Sequence, residues 1–443
     1  MEQKRDQWGS KLGFVLAAAG SAIGLGNIWR FPYITGKYGG AAFVLVYLAV
    51  IVFIGMSVML AELTLGRKGR LDSVGTLRKL GGGGWPLIGW SGFLACSIIL
   101  SFYAVIAGWT FAYMIKSLTG LMEIAAAGKT ESSFIAFIAN PVQSTACFLV
   151  VMLSVIAVVY KGISEGIERC CKILMPLLFL ILVILIVRSV TLDGAMKGIE
   201  FYLKPDFSKL TPEAILAAVG QGFFSLSIGI GTILTYGSYL DKKESLPSVT
   251  AHVVLLDTFV AFLAGLVIFP AVFAFGINPG SGAGLAFITL PGVFAQMPFG
   301  AWFSFAFFTL LFFASITSAI SMIEVDVTFA VDQLKWSRGK AVIVFGTAIT
   351  LFGLPSVLSQ GAYDITIMGK SFLDAMDFLT NNIMMPLGGL AMAIFVSWFW
   401  HEGAKQEITN EGTLDFPLYN VWLWSCRVIA PVAITAIFIN GLM

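Results

Sequence analysis

The residues best suited to bind an ion lie in the stretch GSAIGLGNIWRFPY, residues 20–33, inside the first apolar run. Asn27 carries a side-chain amide, and three glycines precede it, Gly20, Gly24 and Gly26. Glycine lacks the Cβ atom that restricts the backbone, so a helix can open here and leave carbonyl and N–H groups unpaired. Open carbonyls beside an amide oxygen can bind a small hard cation where they line a cavity. The stretch predicts one half of a cation site.

A second stretch, SLSIGIG at residues 225–231, repeats the combination of small polar residues and glycines in a later apolar run. Glycines also allow close helix packing, but packing requires neither Asn27 nor a matching interruption in the second half of the chain. Two interrupted segments, each the first of five hydrophobic helices, indicate an inverted-repeat transporter with its site between the repeats.

An acid and a pair of hydroxyls could complete such a site. Asp257 lies in HVVLLDTFVAFLAGLVIFP, where an ionisable group costs at least roughly 2.5 kcal/mol on insertion scales. It could offset the charge of a cation, or it could be a protonated or hydrogen-bonded structural acid. Ala314, Thr317 and Ser318 share one helix face by their i, i+3, i+4 spacing. Their hydroxyls could simply bond to the preceding turn, but opposite a broken helix they predict a second cation site.

Charged residues bracket the first apolar run. Arg30 lies near its outer end, and Arg5 and Trp8 precede its inner end. Such charges could form gates that close one vestibule while the other opens, with Asp377 as the outer partner and Asp332 as the inner partner. Alternatively, Arg30 extends to the membrane interface and Arg5 reflects the usual excess of basic residues on the cytoplasmic side.

The composition is that of a polytopic membrane protein. Of 443 residues, 58% are hydrophobic and 12% charged, with a mean hydropathy of +0.90, whereas soluble domains carry about 25% charged residues. The net charge of +2, without a basic stripe, does not indicate a nucleic-acid partner. The sequence shows no nucleophile and base at usable spacing and no metal cluster, so an enzyme is not expected. Glu62 and Glu324 also fall in apolar runs and are interpreted as structural or interfacial.

Eleven apolar segments predict an all-α protein with about eleven transmembrane helices in a single transporter domain, residues 1–443. The inverted repeats comprise residues 1–190 and 205–400, and the last helix comprises residues 419–440. Basic residues concentrate in loops that place the N-terminus in the cytoplasm. The odd helix count then places the C-terminus outside the cell membrane. The segments are residues 12–37, 41–66, 87–118, 141–160, 167–187, 212–240, 249–275, 302–334, 341–357, 372–400 and 419–440.

With GSAIGLGNIWRFPY and QGFFSLSIGIGTILTYGSY, the sequence resembles the neurotransmitter:sodium symporter family in its bacterial amino-acid branch. The resemblance runs from about Arg5 to the end of the chain. It implies a fold with broken helices around a midplane site, which is a known feature of that family. It also implies sodium as the coupling ion, at two sites, and an amino-acid substrate.

Matching positions imply the ligands of both sodium ions. The first ion would contact the substrate carboxylate and four protein groups: the Ala22 carbonyl, Asn27, Ser225 and Asp257. The second would contact the carbonyls of Gly20, Ile23 and Ala314 and the hydroxyls of Thr317 and Ser318.

The resemblance also implies an α-amino acid as substrate. Monoamine carriers of the family hold an aspartate at the position of Gly24, and its absence here suits a substrate with its own carboxylate. That carboxylate would bond backbone N–H groups and the Tyr103 hydroxyl, and Phe224 would cap the pocket from outside. The pocket has no charged residue, and Met322 is adaptable, so a neutral hydrophobic side chain fits. The substrate-binding set is Ala22, Gly24, Leu25, Gly26, Ile99, Tyr103, Phe224, Ser225, Ser227, Ile230, Ser318, Ala319 and Met322.

The resemblance assigns the outer gate to Arg30 with Asp377 and the inner gate to Arg5, Trp8 and Asp332. Asp257 stands where many members carry an asparagine. It lies beside positions that match the chloride site of animal relatives, namely Tyr47, Gln221 and Ser225. A fixed negative charge resembles bound chloride in its Coulomb attraction to sodium, so transport is expected to be independent of chloride.

These features predict sodium-coupled symport of neutral hydrophobic L-amino acids by alternating access. Two alternatives stay open: a proton-coupled carrier in which Asp257 or Glu324 titrates, and a non-transporting amino-acid sensor with the same pocket. The complete Thr317 and Ser318 site argues against the proton-driven carrier. Accumulation of substrate against its gradient would separate a symporter from a sensor.

Overall fold

The fold is almost wholly helical in the computed structural model, which describes residues 6–277 and 283–442. A short antiparallel hairpin pairs β1 (Thr366–Ile367) with β2 (Lys370–Ser371), and 3₁₀ turns lie at Phe207–Lys209 and Ala283–Leu285. The helices in chain order are α1 (Lys11–Ala22), α2 (Gly26–Lys37), α3 (Ala41–Gly69), α4 (Ser73–Leu80), α5 (Pro86–Leu118), α6 (Leu121–Ala126), α7 (Thr130–Ile138), α8 (Pro141–Tyr160), α9 (Ile163–Val190), α10 (Ala195–Leu203), α11 (Pro212–Ser225), α12 (Thr232–Gly237), α13 (Leu246–Ala274), α14 (Thr289–Ala295), α15 (Gly300–Gln333), α16 (Arg338–Leu358), α17 (Phe372–Phe399), α18 (His401–Ile408) and α19 (Tyr419–Gly441).

The all-α polytopic fold with two broken helices is confirmed. Among the described residues, nine helices are long and apolar enough to cross a membrane, or ten if the bent pair of α1 and α2 counts as one span. The sixth expected segment is divided into α11 and α12, which are too short to meet that test separately. The count of eleven helices and the division into repeats at residues 1–190 and 205–400 stay predictions.

The first break separates α1 from α2 with a bend of 54°. Helix α1 ends at Ala22 because Ile23 has extended backbone angles, φ −69° and ψ 101°. Asn27 supports the opened turn, since its Oδ1 accepts a hydrogen bond from Gly24 N at 3.1 Å. The amide that the sequence singled out therefore stabilises the break itself.

The second break runs from Leu226 to Gly231, between α11 and α12. Gly229 and Gly231 have φ values of +88° and +81°, a region that favours glycine. Gly229 N donates to Glu62 Oε1 at 2.6 Å, so a buried carboxylate on α3 accepts from the opened backbone. On the other side, a Cβ on Gly388 of α17 would overlap the Gly229 carbonyl. Glu62 is thus a buried structural group rather than an interfacial one.

Burial separates inner helices from outer ones. Buried residues make up 78% of the apolar window of α15 and 72% of that of α5, compared with 28% for α9. Because lipid tails solvate apolar side chains, the low value for α9 is typical of a helix at the periphery. The two breaks lie next to α5 and α15, so opened backbone occurs where protein rather than lipid surrounds it.

Candidate substrate and cation site

The two helix breaks border a central cavity of about 30 Å³. All of the predicted substrate-binding residues except Ser225 and Ala319 line it, and so does Met385 of α17. Met385 was not predicted, because an apolar residue in an apolar helix gives no sequence signal. The lining contains no charged side chain; it consists of Ala22, Gly24, Leu25, Gly26, Ile99, Tyr103, Phe224, Ser227, Ile230, Ser318, Met322 and Met385.

Two glycines allow the first break to approach its neighbours closely. A Cβ on Gly24 would lie 2.7 Å from Ser318 Oγ, and one on Gly26 would lie 2.7 Å from the Phe224 ring. Leu25 N donates to the Tyr103 hydroxyl oxygen at 3.4 Å. The phenol and the N-terminal N–H groups of α2 therefore meet at the cavity, and helix N-termini favour anionic groups such as a carboxylate.

The three side chains predicted for the first cation form one hydrogen-bonded cluster. Asn27 Nδ2 donates to Asp257 Oδ1 at 2.7 Å and to Ser225 Oγ at 3.0 Å, and Ser225 Oγ donates to Asp257 Oδ2 at 2.8 Å. Tyr47 Oη donates to Ser225 Oγ at 3.2 Å, and Gln221 Nε2 donates to a carbonyl of the first break at 2.9 Å. All five side chains are buried. The carboxylate of Asp257 is thus held among neutral polar groups.

The residues predicted for the second cation form an oxygen cluster between α1 and α15. Ser318 Oγ lies 3.4 Å from the Gly20 carbonyl oxygen, 3.3 Å from that of Ile23 and 3.2 Å from that of Ala314. Thr317 Oγ1 lies 3.1 Å from the Ala314 carbonyl oxygen. A hydroxyl has a single proton, so oxygen acceptors outnumber donors here. Such a set of oxygens suits a small hard cation.

Cysteine and histidine, the usual ligands of zinc and iron, are not part of either cluster. Across residues 6–277 and 283–442, no three His, Cys, Asp or Glu side chains are grouped as they would be around a metal ion. Both clusters consist mainly of carbonyl, hydroxyl and amide groups, with Asp257 as the single carboxylate. This chemistry fits an alkali or alkaline-earth ion better than zinc or iron.

A second cavity of about 330 Å³ lies outside the first. Phe224 and Met385 line both cavities and therefore separate them. The Arg30 guanidinium lies over the Phe224 ring, 4.4 Å from its centroid. Asp377 instead accepts a hydrogen bond from Asn381 Nδ2 at 2.6 Å. Arg30 thus contacts an aromatic face in this structure, and its role with Asp377 as the outer gate stays a prediction.

Contacts near Trp8 join the N-terminal segment to the second broken helix. Trp8 Nε1 donates to the Tyr236 carbonyl oxygen at 3.1 Å, and the two rings meet edge to face. Asp332 Oδ2 accepts from Asp72 N at 2.7 Å. Arg5 lies outside the described residues, so its predicted pairing with Asp332 stays a prediction.

An ion pair that sequence analysis missed lies beside these contacts. Glu324 of α15 is fully buried, and its carboxylate accepts from Arg338 Nη1 at 2.9 Å and Nη2 at 2.5 Å. Tyr239 also donates to Glu324, at 2.8 Å. Glu324 is thus a buried ionic group, not an interfacial one. The signal that could have identified the pair is an acid inside an apolar run followed by an arginine at the start of the next one.

Comparisons with known proteins agree with this geometry. A family model described as the sodium:neurotransmitter symporter family matches residues 5–133 and 135–443. The chain is 41% identical to an uncharacterized sodium-dependent transporter, YhdH, of Bacillus subtilis (strain 168), over 99% of this chain and 98% of that one. It is 37% identical to an uncharacterized sodium-dependent transporter of Haemophilus influenzae, over 99% of both chains. A crystal structure of MhsT in complex with L-phenylalanine superimposes with a TM-score of 0.90 at 44% identity, covering 99% of this chain and 100% of that one.

Proposed function

This chain belongs to the sodium:neurotransmitter symporter family and is a sodium-dependent membrane transporter, and we propose that it carries neutral hydrophobic L-amino acids by alternating access. The observation that carries this proposal is the central cavity: an uncharged pocket that lies between two oxygen clusters suited to small cations. The relatives are transporters rather than enzymes, in agreement with the expectation from the sequence.

The nature of the substrate follows from the two ends of the cavity. One end presents the Tyr103 hydroxyl and the N-terminus of α2, which suit a carboxylate. The other end presents the side chains of Ile99, Ile230 and Met322, which suit an apolar group. MhsT, whose crystal structure holds L-phenylalanine, is 44% identical to this chain, which supports an amino acid of this class.

Two sodium ions would be carried with the substrate. The first would bind at the Asn27, Ser225 and Asp257 cluster together with the Ala22 carbonyl and the substrate carboxylate. The second would bind at the oxygen cluster around Ser318 and Thr317. Because the first ion would share the substrate carboxylate, each would strengthen binding of the other, and this reciprocity is the coupling.

Asp257 contributes an acid to the first cation cluster, and bound sodium would favour its ionised form, so transport should not require chloride. The carboxylate lies within hydrogen-bond distance of Asn27 and Ser225. A bound chloride would add a second negative charge that the site does not require, because the Asp257 carboxylate would already offset the charge of the cation. The proton-coupled alternative loses one of its two titrating groups, since Glu324 is already paired with Arg338.

Alternating access would use the contacts on either side of the cavity. Phe224 and Met385 close it toward the outer cavity, and Trp8 and the Glu324–Arg338 pair close the opposite side. Sodium and substrate would favour closure of the outer side and then release inward, because they would contact groups from both breaks and so bind the closed state more tightly. The cytoplasmic position of the N-terminus and the external position of the C-terminus stay predictions.

The test is uptake of labelled leucine and phenylalanine into proteoliposomes under an inward sodium gradient, an equal potassium gradient, or no gradient. We expect concentrative uptake only with sodium, unchanged when gluconate replaces chloride, and competition by aliphatic and aromatic amino acids. Competition only by acidic, basic or glycine-sized amino acids would contradict the proposed substrate class. Binding without accumulation would indicate a sensor.

A further inference from the structure

One arginine lies in the apolar span of α19, beside the end of α17. Arg427 is half-buried within the apolar span of α19, where an unpaired guanidinium is costly. Its Nε donates to the Ser397 carbonyl oxygen at 2.7 Å, one of the carbonyls that the end of α17 leaves without an intrahelical partner. A guanidinium has five N–H donors, so this bond uses one and leaves four. Arg427 forms no ion pair with any residue in the described part of the chain.

One exposed aromatic ring contacts this guanidinium, and a second lies one helical turn away. Arg427 lies over the Trp398 ring, 5.2 Å from its centroid, and Trp398 is 56% exposed. Trp424, one helical turn before Arg427 on α19, is 61% exposed. Tryptophan is enriched at the level of lipid headgroups, where its ring is apolar and its N–H is polar. We call Arg427, Trp398 and Trp424 the Arg427 patch.

A second cation lies in the short helix that follows α17, and one of the acids near it is paired. Lys405 of α18 lies over the Tyr419 ring at the start of α19, 5.6 Å from its centroid. Glu407 is bound by Arg67 at 2.6 Å, and Glu402 lies beside His401 at 3.4 Å. Arg427, by contrast, has no ion-pair partner in the described part of the chain.

We propose that the Arg427 patch binds the phosphate headgroup of an anionic phospholipid, with Lys405 adding positive charge at the membrane surface. Arginine binds phosphate through paired N–H donors, and basic sites between transmembrane helices bind anionic headgroups. Exposed apolar side chains on the next turns of α19, Val428 and Val432, give the acyl chains an apolar surface. A bound lipid would join the end of α17 to α19.

Native mass spectrometry of the purified full-length protein with phosphatidylglycerol or phosphatidylethanolamine tests this proposal. The wild type should retain phosphatidylglycerol in preference to phosphatidylethanolamine. Arg427→Gln should lower phosphatidylglycerol retention about fivefold, the change expected for one basic residue at a membrane surface. Arg427→Lys, which keeps the charge but not the paired donors, should retain an intermediate amount.

Lys340→Gln is the matched control. Lys340 Nζ also lies over a tryptophan ring, 4.4 Å from the centroid of Trp336, but it lies outside the Arg427 patch. This variant should leave retention unchanged. Trp424→Leu alters only a lipid-exposed side chain, so it should fold and also lower retention. Equal retention of both lipids by the wild type, or undiminished phosphatidylglycerol in Arg427→Gln and Trp424→Leu, would overturn the proposal. Lipid-free dimers of the wild type that dissociate in Arg427→Gln would also overturn the proposal, because they would indicate that a second copy of the chain covers the patch.

Discussion

The Ser227 hydroxyl donates a hydrogen bond to the Ser21 carbonyl oxygen across 3.1 Å, so a side chain in the second helix break caps the end of the first broken helix. Ser21 lies in the last turn of α1, where carbonyl groups lack intrahelical partners. Ser227 itself has a φ of +51°, which is uncommon for a residue other than glycine. The two breaks are therefore joined directly, and a movement of one must affect the other.

Ser227→Ala should destabilise the protein, because it leaves the buried Ser21 carbonyl without this donor. We expect a loss of about 1 to 3 kcal/mol in unfolding free energy, measured by thermal unfolding in detergent. Ser227→Gly is the matched control: it also removes the hydroxyl but tolerates the positive φ, so it should be less destabilising by about 1 kcal/mol. Wild-type stability in both variants would show that the hydrogen bond does not hold the breaks together.

Thr317→Val should weaken sodium dependence, because it removes a hydroxyl from the proposed second sodium site while preserving side-chain shape. We expect the sodium concentration for half-maximal uptake to rise at least about tenfold, equivalent to about 1.4 kcal/mol. Thr309→Val is the control on the same helix, since Thr309 also bonds back to the preceding turn, at 2.7 Å from the Phe305 carbonyl oxygen. Equal sodium dependence in the two variants would rule out a ligand role for Thr317.

Asp257→Asn should make transport sensitive to chloride. The substitution keeps the polar shape but removes the charge that stands beside Asn27 and Ser225. Without that anion, sodium binding should weaken unless chloride supplies the negative charge. Sodium-driven uptake is measured with chloride or gluconate as the counterion, and Asp374→Asn, an exposed acid, serves as the control. If Asp257→Asn takes up substrate equally well in both salts, the Asp257 carboxylate does not act in place of chloride.

Gly24→Ala should abolish tight substrate binding, because the added Cβ would lie 2.7 Å from Ser318 Oγ and 3.0 Å from Tyr103 Oη. We expect the Kd for labelled leucine to rise at least tenfold, which corresponds to a loss of about 1.4 kcal/mol in binding free energy. Gly220→Ala is the control, since nothing lies within 4 Å of its added Cβ. Gly220→Ala should bind like the wild type, and a similar loss in both variants would indicate a general effect on α1 or α11.

Glu324→Gln should destabilise the closure formed by Trp8 and the Glu324–Arg338 pair, because it removes the buried partner of Arg338 at 2.5 Å and leaves only the exposed Asp6, at 3.9 Å. Removing one member of a buried pair costs about 3 to 5 kcal/mol, and thermal unfolding should show it. The double variant Glu324→Gln with Arg338→Gln should recover part of that loss, whereas Glu402→Gln, an exposed acid, should change little. A single variant as stable as the wild type would mean that the pair does not support the fold.

The positions of both helix breaks could be predicted from the sequence, because the signal is local. Glycines remove the steric restraint on the backbone, and an amide such as Asn27 inside an apolar run is unfavourable unless it has a partner. The same reasoning identified Asp257 and the hydroxyls of Thr317 and Ser318. The resemblance to a known family supplied their assignment to two cation sites, and that assignment awaits the experiments above.

Contacts between distant parts of the chain could not be predicted in this way. Met385 lines the cavity although nothing in the sequence next to it indicates a binding site. Arg30 lies over the ring of Phe224, 194 positions away along the chain, and nothing in the sequence around either residue indicates that contact. Glu62 accepts from Gly229, 167 positions away along the chain. Each of these depends on which helices are neighbours.

The sequence by itself determined that the chain is an all-α membrane protein with two interrupted helices, because hydropathy and backbone freedom are properties of short segments. The tertiary structure decided which groups meet: it joined Ser21 to Ser227, paired Glu324 with Arg338, and placed Met385 beside Phe224. The physical reason is that buried polar groups must find partners wherever folding brings them, and partners on other helices leave no mark in the local sequence.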